Sequence, residues 1–458
     1  MHMSGSQFKS KYALRLYILA AVCNCVILLF VLPLLAGKIA SSYNQGKFTD
    51  GYDQIADNLV HGRGYRFYPD TAPTLMREPG YPLVLAGIGA VFGDSFLAVK
   101  CFNLISVLLA SWILRSLAAQ LFDAEEDTAA ALPDIAAALF LIHPGVLVAE
   151  SRGGVESFFT LLITAFALLL TRGWKDPKLV TFMLAGVVLG MTVMVRSTPI
   201  IYPAILLLLL LAAGRQRRNL RIVTLRFAVF VVPMVLVIAP WAIRNFRLTN
   251  RVIPTASVLG VSAQAGQYIN ERLWTGKPFW ILDREASRER DKVAAQLGYA
   301  FEDGANGYYQ TFYRTQDELN FSAYLMQQVK ESYIRHPALL VRSMLQNLAN
   351  FWFGGRTWMA TAANLVVQLP YLMAAWVGLQ ILRRRGKLWN ALPVLGLMLG
   401  VVAVHLPILA QARYSIPFVP LLACFAAGAI IAAISPKTQS KRNLYPVSAF
   451  SSGSGSTS

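Results

Sequence analysis

The sequence predicts an all-α polytopic membrane protein with about ten transmembrane helices, juxtamembrane helices and a small exterior domain. Three observations predict it. Hydrophobic residues make up 55% of the 458 residues and charged residues only 14%. Several apolar runs approach or exceed the ~18 residues that carry a helix across a bilayer. The basic residues fall in short links between those runs, "GRQRRNLR", "RRRGK" and "SPKTQSKR", as cytoplasmic loops do, because Lys and Arg beside a span resist translocation. The net charge of +18 therefore reads as topology signal, and no nucleic-acid partner is expected. Cys23, Cys25, Cys101 and Cys424 all lie in apolar runs without a CxxC pair, and read as core residues.

The elements follow in order. Tyr12–Gly37 is longer than a signal-peptide core, lacks a clear small-residue cleavage site and is expected to remain as the first span. The first exterior loop, 38–95, contains the apolar stretch Pro79–Phe92, whose length suits an interfacial helix. Further spans are expected at Phe96–Ala118, Ala129–Ile142, Ser157–Leu170, Leu179–Val195, Pro199–Ala213 and Ile222–Pro240, completing an N-terminal membrane module, 1–240. From 241 to 335 the chain turns polar and holds about a third of all its charged side chains, enough for a small exterior domain. In the C-terminal part, 336–435, "HPALLVRSMLQNLANFWF" looks amphipathic and suits the interface. Spans at Ala363–Leu382, Trp389–Val404 and Ile416–Ile434 follow. The tail, 436–458, is low in complexity and reads as a flexible cytoplasmic segment. Both termini are then cytoplasmic.

On this topology the polar residues at span ends collect on the outer face: Asp50, Asp53, Arg77, Glu78, His143, Glu150, Arg152, Glu156, Arg196, Arg244, Asn245, Arg413 and Tyr414. Charges at a membrane rim are costly unless paired or functional. Arginines hold a phosphate leaving group through a planar fork of donors, and a carboxylate within reach of a hydroxyl or amine takes its proton. The set therefore suits an anionic lipid headgroup. Single residues have plainer readings. Asp50 reads as base or as N-cap of a helix near Tyr52, and Glu156 as site residue or cap. Asp53 and Asp57 share a helix face that reads as solvated. Each arginine alone reads as a snorkelling rim residue, and His143 before Pro144 reads as structural. Nothing matches a Gly-rich phosphate loop, HExxH or a His/Cys cluster, against a nucleotide-driven pump or zinc hydrolase.

The same residues carry a likeness. "DGYDQIADNLVHGRGY", "REPGYPLVLAGIGAVFG", "HPGVLVAESRGGVESFFTLL", "GVVLGMTVMVRSTPIIYP", "APWAIRNFRLTNRVIPTAS" and "QARYSIPFVPLLA" resemble, in this order, landmarks of the GT-C superfamily of polytopic glycosyltransferases. The bacterial relatives of protein O-mannosyltransferases and aminoarabinose transferases are the most similar. The likeness runs to about Ser435 and excludes most of 241–335. It implies that Asp50, or in a second alignment Asp53, is the catalytic base, with Glu156 the second-loop acid. Arg77, Arg244 and Arg413, and also Arg196, would face the donor phosphate, and Glu78, Tyr81, Asn245 and Tyr414 complete the candidate set. "PTASVLGVSAQAGQY" departs from the family, where many relatives have a glycine pair and an asparagine. No cofactor is expected to be required; a divalent metal, which some GT-C enzymes use, stays open.

The resulting expectation is a transferase moving a sugar from a polyprenyl-phosphate carrier to a cell-envelope glycan, lipid A or protein acceptor. It would work on the periplasmic side of a bacterial inner membrane. The rival expectations are a transporter or flippase of a lipid-linked saccharide, which internal repeats would favour, and a scaffold with a decayed site.

Overall fold

A computed structural model describes residues 5–34, 50–123, 129–217, 220–303 and 310–434. Part of the first loop and the C-terminal tail lie outside the described residues. The chain is helical almost throughout. In order, the helices are α1 (Gly5–Val26, continued by a π-helical turn Ile27–Val31), α2 (Tyr52–Val60), α3 (Gly80–Phe92), α4 (Phe96–Phe122), α5 (Leu132–Leu141), α6 (Pro144–Ser151), α7 (Glu156–Lys175), α8 (Leu179–Val195), α9 (Tyr202–Arg217) and α10 (Leu220–Thr249). Then come α11 (Leu259–Arg272), α12 (Phe279–Gln296), a short antiparallel hairpin β1 (Phe301–Asp303) and β2 (Gln310–Phe312), α13 (Thr315–Arg335), α14 (Pro337–Phe353), α15 (Trp358–Arg384), α16 (Leu388–His405) and α17 (Val419–Ile434).

Among the described residues seven helices are long and apolar enough to cross a membrane, or eight when the bent pair α5–α6 counts as one span. α8 and the segment Thr198–Ala213, both expected to span, are apolar but shorter. The expected third span is not one straight helix: α5 and α6 meet at 53°. The bend falls at His143–Pro144, where proline cannot donate a backbone hydrogen bond and His143 caps the new helix, its Nδ1 accepting from Gly145 N at 3.1 Å. The expected seventh span also differs. α10 runs through Pro240 and Trp241 to Thr249.

Burial sorts the spans. The Ala412–Ile434 window is 78% buried, whereas those of Lys11–Leu34 and Leu220–Thr249 are 17% and 22% buried. α17 is therefore the central helix, and α1 and α10 present apolar side chains outward, as lipid-facing helices do. Small residues let α17 approach its neighbours closely: a Cβ at Gly378 of α15 would strike the Phe425 carbonyl at 1.8 Å. α3 leaves Leu83, Val91 and Phe92 exposed, as an interfacial helix should.

The polar segment and the first loop share one core. Ile55, Tyr65, Phe67 and Met76 pack with Val261, Phe312, Phe321 and Leu325. Glu318 of α13 joins them through hydrogen bonds accepted from Thr74 Oγ1 (2.7 Å), Leu75 N (2.8 Å) and Ser257 Oγ (2.7 Å). Burial pushes the Glu318 carboxyl up from its ordinary value, although the donors from Ser257, Thr74 and Leu75 and the charge of Arg244 pull the other way.

Candidate active site

Between the helix ends and the polar segment lies a cavity of about 840 Å³. Its walls carry Asp50, Arg77, Glu78, Arg152, Glu156, Arg196, Asp283, Arg290, Arg356, Arg413 and Tyr414. Seven separated stretches of sequence, at 50, 77–78, 152–156, 196, 283–290, 356 and 413–414, thus converge on one space.

Asp50 has φ 54° and Gly51 φ 86°, a left-handed pair just before α2. Asp50 is not the cap of that helix: Gly51 occupies the N-cap position, and no side-chain cap bond forms. Its backbone carbonyl instead accepts from Arg77 Nε at 3.2 Å and Nη2 at 3.0 Å, and its Oδ2 accepts from Arg413 Nη1 at 2.6 Å. Its side chain remains 27% exposed to the cavity. Burial alone would raise the Asp50 carboxyl, but the guanidinium groups of Arg413, Arg77 and Arg196 outweigh it and hold the group below its ordinary value.

Arg77, Arg196 and Arg413 each lie against an aromatic ring. Arg77, 7% exposed, lies over the Tyr52 ring at 5.3 Å. Arg196, at the C-cap of α8, and Arg413, in the turn Ala412–Tyr414, flank Tyr414 at 4.6 and 5.3 Å from its ring. Glu156 opens α7 and stands 4.0 Å from Arg196. Glu78 accepts from Ser197 N at 3.0 Å. That bond ties the first loop to the end of α8, where Gly80 lets the backbones touch: a Cβ there would meet Met194 O at 2.7 Å.

The remaining candidates lie elsewhere. Arg244 donates to Thr74 O (3.0 Å) and Asn245 Oδ1 (2.9 Å) and is stacked on Trp241 and Tyr65. Asn245 is fully buried and bonds Ile253 O and Thr255 O. Tyr81, also fully buried, donates to Gly153 O at 2.7 Å and meets Tyr52 edge-on. Asp53 sits in the first turn of α2. None of these four lines the cavity; Arg244, Asn245 and Tyr81 tie the first loop and its neighbours together. Asp57 faces His61 and Arg63 on an exposed surface, the solvated reading.

Sequence reasoning missed Asp283, Arg290 and Arg356. The seven-residue spacing of Asp283 and Arg290 puts both on one face of α12, a signal available in "LDREASRER". Arg290 is 1% exposed and donates to Gln264 Oε1 at 2.9 Å. Burial raises the Asp283 carboxyl and Asp50 adds to this, against the opposing pull of Arg290, Arg413 and Arg356.

A divalent ion is not matched by this donor set. Asp50 and Glu156 face arginines and Glu78 faces a backbone N–H, and no three His, Cys, Asp or Glu side chains converge as ligands among the described residues.

The family model for dolichyl-phosphate-mannose-protein mannosyltransferase matches residues 73–243, which hold Arg77, Glu78, Glu156 and Arg196. No curated protein matches in sequence. Among solved structures, the chain resembles the archaeal oligosaccharyltransferase AglB from Archaeoglobus fulgidus. For the complex with an inhibitory peptide and a dolichol-phosphate, the TM-score is 0.52 at 15% identity, covering 93% of this chain and 50% of that one. The apo form gives 0.54 at 16%, covering 93% and 51%. A weaker match, at TM-score 0.32 and 12% identity, covers 84% of this chain and 73% of ArnT from Cupriavidus metallidurans bound to undecaprenyl phosphate. The chain spans about half the length of the oligosaccharyltransferase. The fold resembles that of AglB, and over residues 73–243 the family pattern agrees with the resemblance read from the sequence.

Proposed function

We propose that the chain transfers a sugar from a polyprenyl-phosphate carrier to a hydroxyl or amine acceptor at this cavity, on the periplasmic side of a bacterial inner membrane. The observation that carries the reading is the Asp50 carboxylate, anchored through one oxygen by Arg413 and flanked by Arg77 and Arg196 on the cavity wall. Asp50 takes the acceptor's proton as the acceptor oxygen or nitrogen attacks the anomeric carbon. The bond from that carbon to the phosphate oxygen breaks, and its electron pair leaves with the phosphate. Arg413, Arg196 and Arg77 stabilise the growing charge, as fixed guanidinium donors do in a water-poor site. Glu156 holds Arg196 in place. The polar segment, reaching the cavity through Asp283 and Arg290, covers the site and helps choose the acceptor.

The test is release of polyprenyl phosphate, read by mass spectrometry, from purified protein in nanodiscs given extracted polyprenyl-phosphate sugars and envelope glycolipids. Release by wild type and none by Asp50→Asn supports transfer with this base. Binding of the donor without release by either form overturns it and points to carriage of a lipid-linked saccharide.

A further inference from the structure

The polar segment turns most of its large apolar side chains inward, and two stand out against that rule. Among the described residues from α11 to the end of α13, Trp274 is 75% exposed and Ile334 77%, whereas the next, Leu259, is 51% exposed. Trp274 stands in the one-turn helix Leu273–Thr275 between α11 and α12, closed by Gly276 at φ 72°. Its neighbour Leu273 packs inward with Ile269, Phe279 and Leu282, which holds the turn from one side and leaves the indole outside. The turn lies against the start of α15. Gly276 O accepts from Trp358 Nε1 at 3.0 Å, and Arg356 O accepts from Trp280 N at 3.2 Å. α15 is long and apolar enough to span a membrane. Met359, Val366 and Met373, seven residues apart and so on one helix face, are 83%, 73% and 62% exposed, a stripe that only lipid covers without cost. Trp358 and Met359 are its upper end.

We propose that the turn Leu273–Lys277 is a membrane anchor, which inserts the Trp274 indole into the lipid leaflet at the cavity end of the bundle. The bond from Trp358 fixes the turn at the level where a span begins, the depth at which Trp and Tyr rings gather in membrane proteins. An indole suits that depth because its ring sheds water against acyl chains while its N–H still reaches water or a headgroup phosphate. Ile334 repeats the arrangement at the other junction: α13 ends there and leads into α14, whose Val341 and Leu345 are 57% and 64% exposed. The polar segment then rests on the leaflet at both places where it rejoins the bundle. The anchor would steady α12, which begins five residues after Trp274 and carries Phe279, Asp283 and Arg290 to the cavity wall. It does not depend on the transferase reading.

Fluorine NMR of the purified full chain in nanodiscs, with its nine tryptophans replaced by fluorotryptophan, tests the anchor. Trp274→Phe and Trp358→Phe identify the two lines by their loss. One sample carries a phosphatidylcholine with a doxyl group near the headgroup end of its acyl chain, and a second carries a water-soluble gadolinium chelate. The Trp274 line should be broadened away by the doxyl lipid, as should that of Trp358, and should persist with the chelate. A Trp274 line that survives the doxyl lipid, or that the chelate broadens to the same extent, would overturn the proposal and leave the indole in water, as a contact for a glycan or a second protein. If Trp274→Phe does not fold, Trp274→Tyr assigns the same line.

Discussion

Asp50 adopts a left-handed backbone conformation that few non-glycine residues occupy, and such strain persists only where the surroundings over-determine it. Here the two bonds from Arg77 to its carbonyl and the bond from Arg413 to its carboxylate do so. Asp50→Asn keeps the size and removes the base, so transfer should fall by about 10²–10⁴-fold with the thermal midpoint little changed. Activity within a few-fold of wild type would remove Asp50 as the base. The depressed Asp50 pKa sets the sign of the pH response: the ionised form, and the stability its partners give, is present above the unfolded pKa and lost as pH falls through the folded one. Arg413→Ala removes the largest lowering influence, so the acid limb of the rate profile should move to higher pH while donor binding weakens. An acid limb that stays in place would mean that Arg413 does not tune the base. These residues were legible because a charge beside a span end demands a reason. Arg244 shows the limit: in sequence it looks like Arg196, yet Trp241, Tyr65 and the Thr74 carbonyl turn it away from the cavity, and only packing reveals which way an arginine faces.

At the scale of elements, the site depends on the strip Thr74–Gly80, which Glu318 holds at one end and the Gly80–Met194 contact at the other. Glu318→Ala would strand the buried donors of Thr74, Leu75 and Ser257, costing about 3 kcal/mol on the scale of unmet buried hydrogen bonds. A loss under about 1 kcal/mol in denaturant midpoints would show that water or a neighbour replaces it. Gly80→Val should push the strip off α8, break the Glu78–Ser197 bond and lower transfer even though every charged group remains. Wild-type rates in that variant would show that the close approach is not needed. Hydropathy and length made most of the long helices readable, because burial in lipid or bundle needs continuous apolar sequence. Three features escaped. The α5–α6 bend depends on how His143 and Pro144 share the backbone hydrogen bonds, α10 runs past Pro240 because a proline can sit within a long apolar helix, and the core joining the first loop to 258–325 is made by residues some two hundred positions apart.

Over the whole molecule the charges are sorted by end. The C-terminal ends of α4 and α7 and the N-terminus of α16 gather Asp123 with Lys175 and Lys387, whereas the N-terminus of α7 and the C-terminus of α8 deliver Glu156 and Arg196 to the cavity. The cavity lining carries Arg77, Arg152, Arg196, Arg290, Arg356 and Arg413 against Asp50, Glu78, Glu156 and Asp283, an excess of positive charge that suits a phosphate-bearing ligand. Of the four acids, Asp283 is the one that the polar segment contributes, and burial raises its carboxyl whereas the arginines around Asp50 lower that one. On the proposed reading the contrast would give the two carboxylates different work: Asp50 as the charged base, and Asp283 as a contact for the incoming acceptor. Asp283→Asn should therefore raise the glycolipid concentration for half-maximal transfer by about tenfold, a loss of roughly one charge-assisted hydrogen bond, with donor half-saturation unchanged. The sign with pH follows. As pH falls through the raised Asp283 pKa, the wild-type carboxyl becomes neutral, so its acceptor half-saturation should climb towards that of Asp283→Asn, the two curves separating again at higher pH. Parallel curves with a constant offset would show that Asp283 acts only through packing, and coincident curves that the polar segment does not touch the acceptor through this residue.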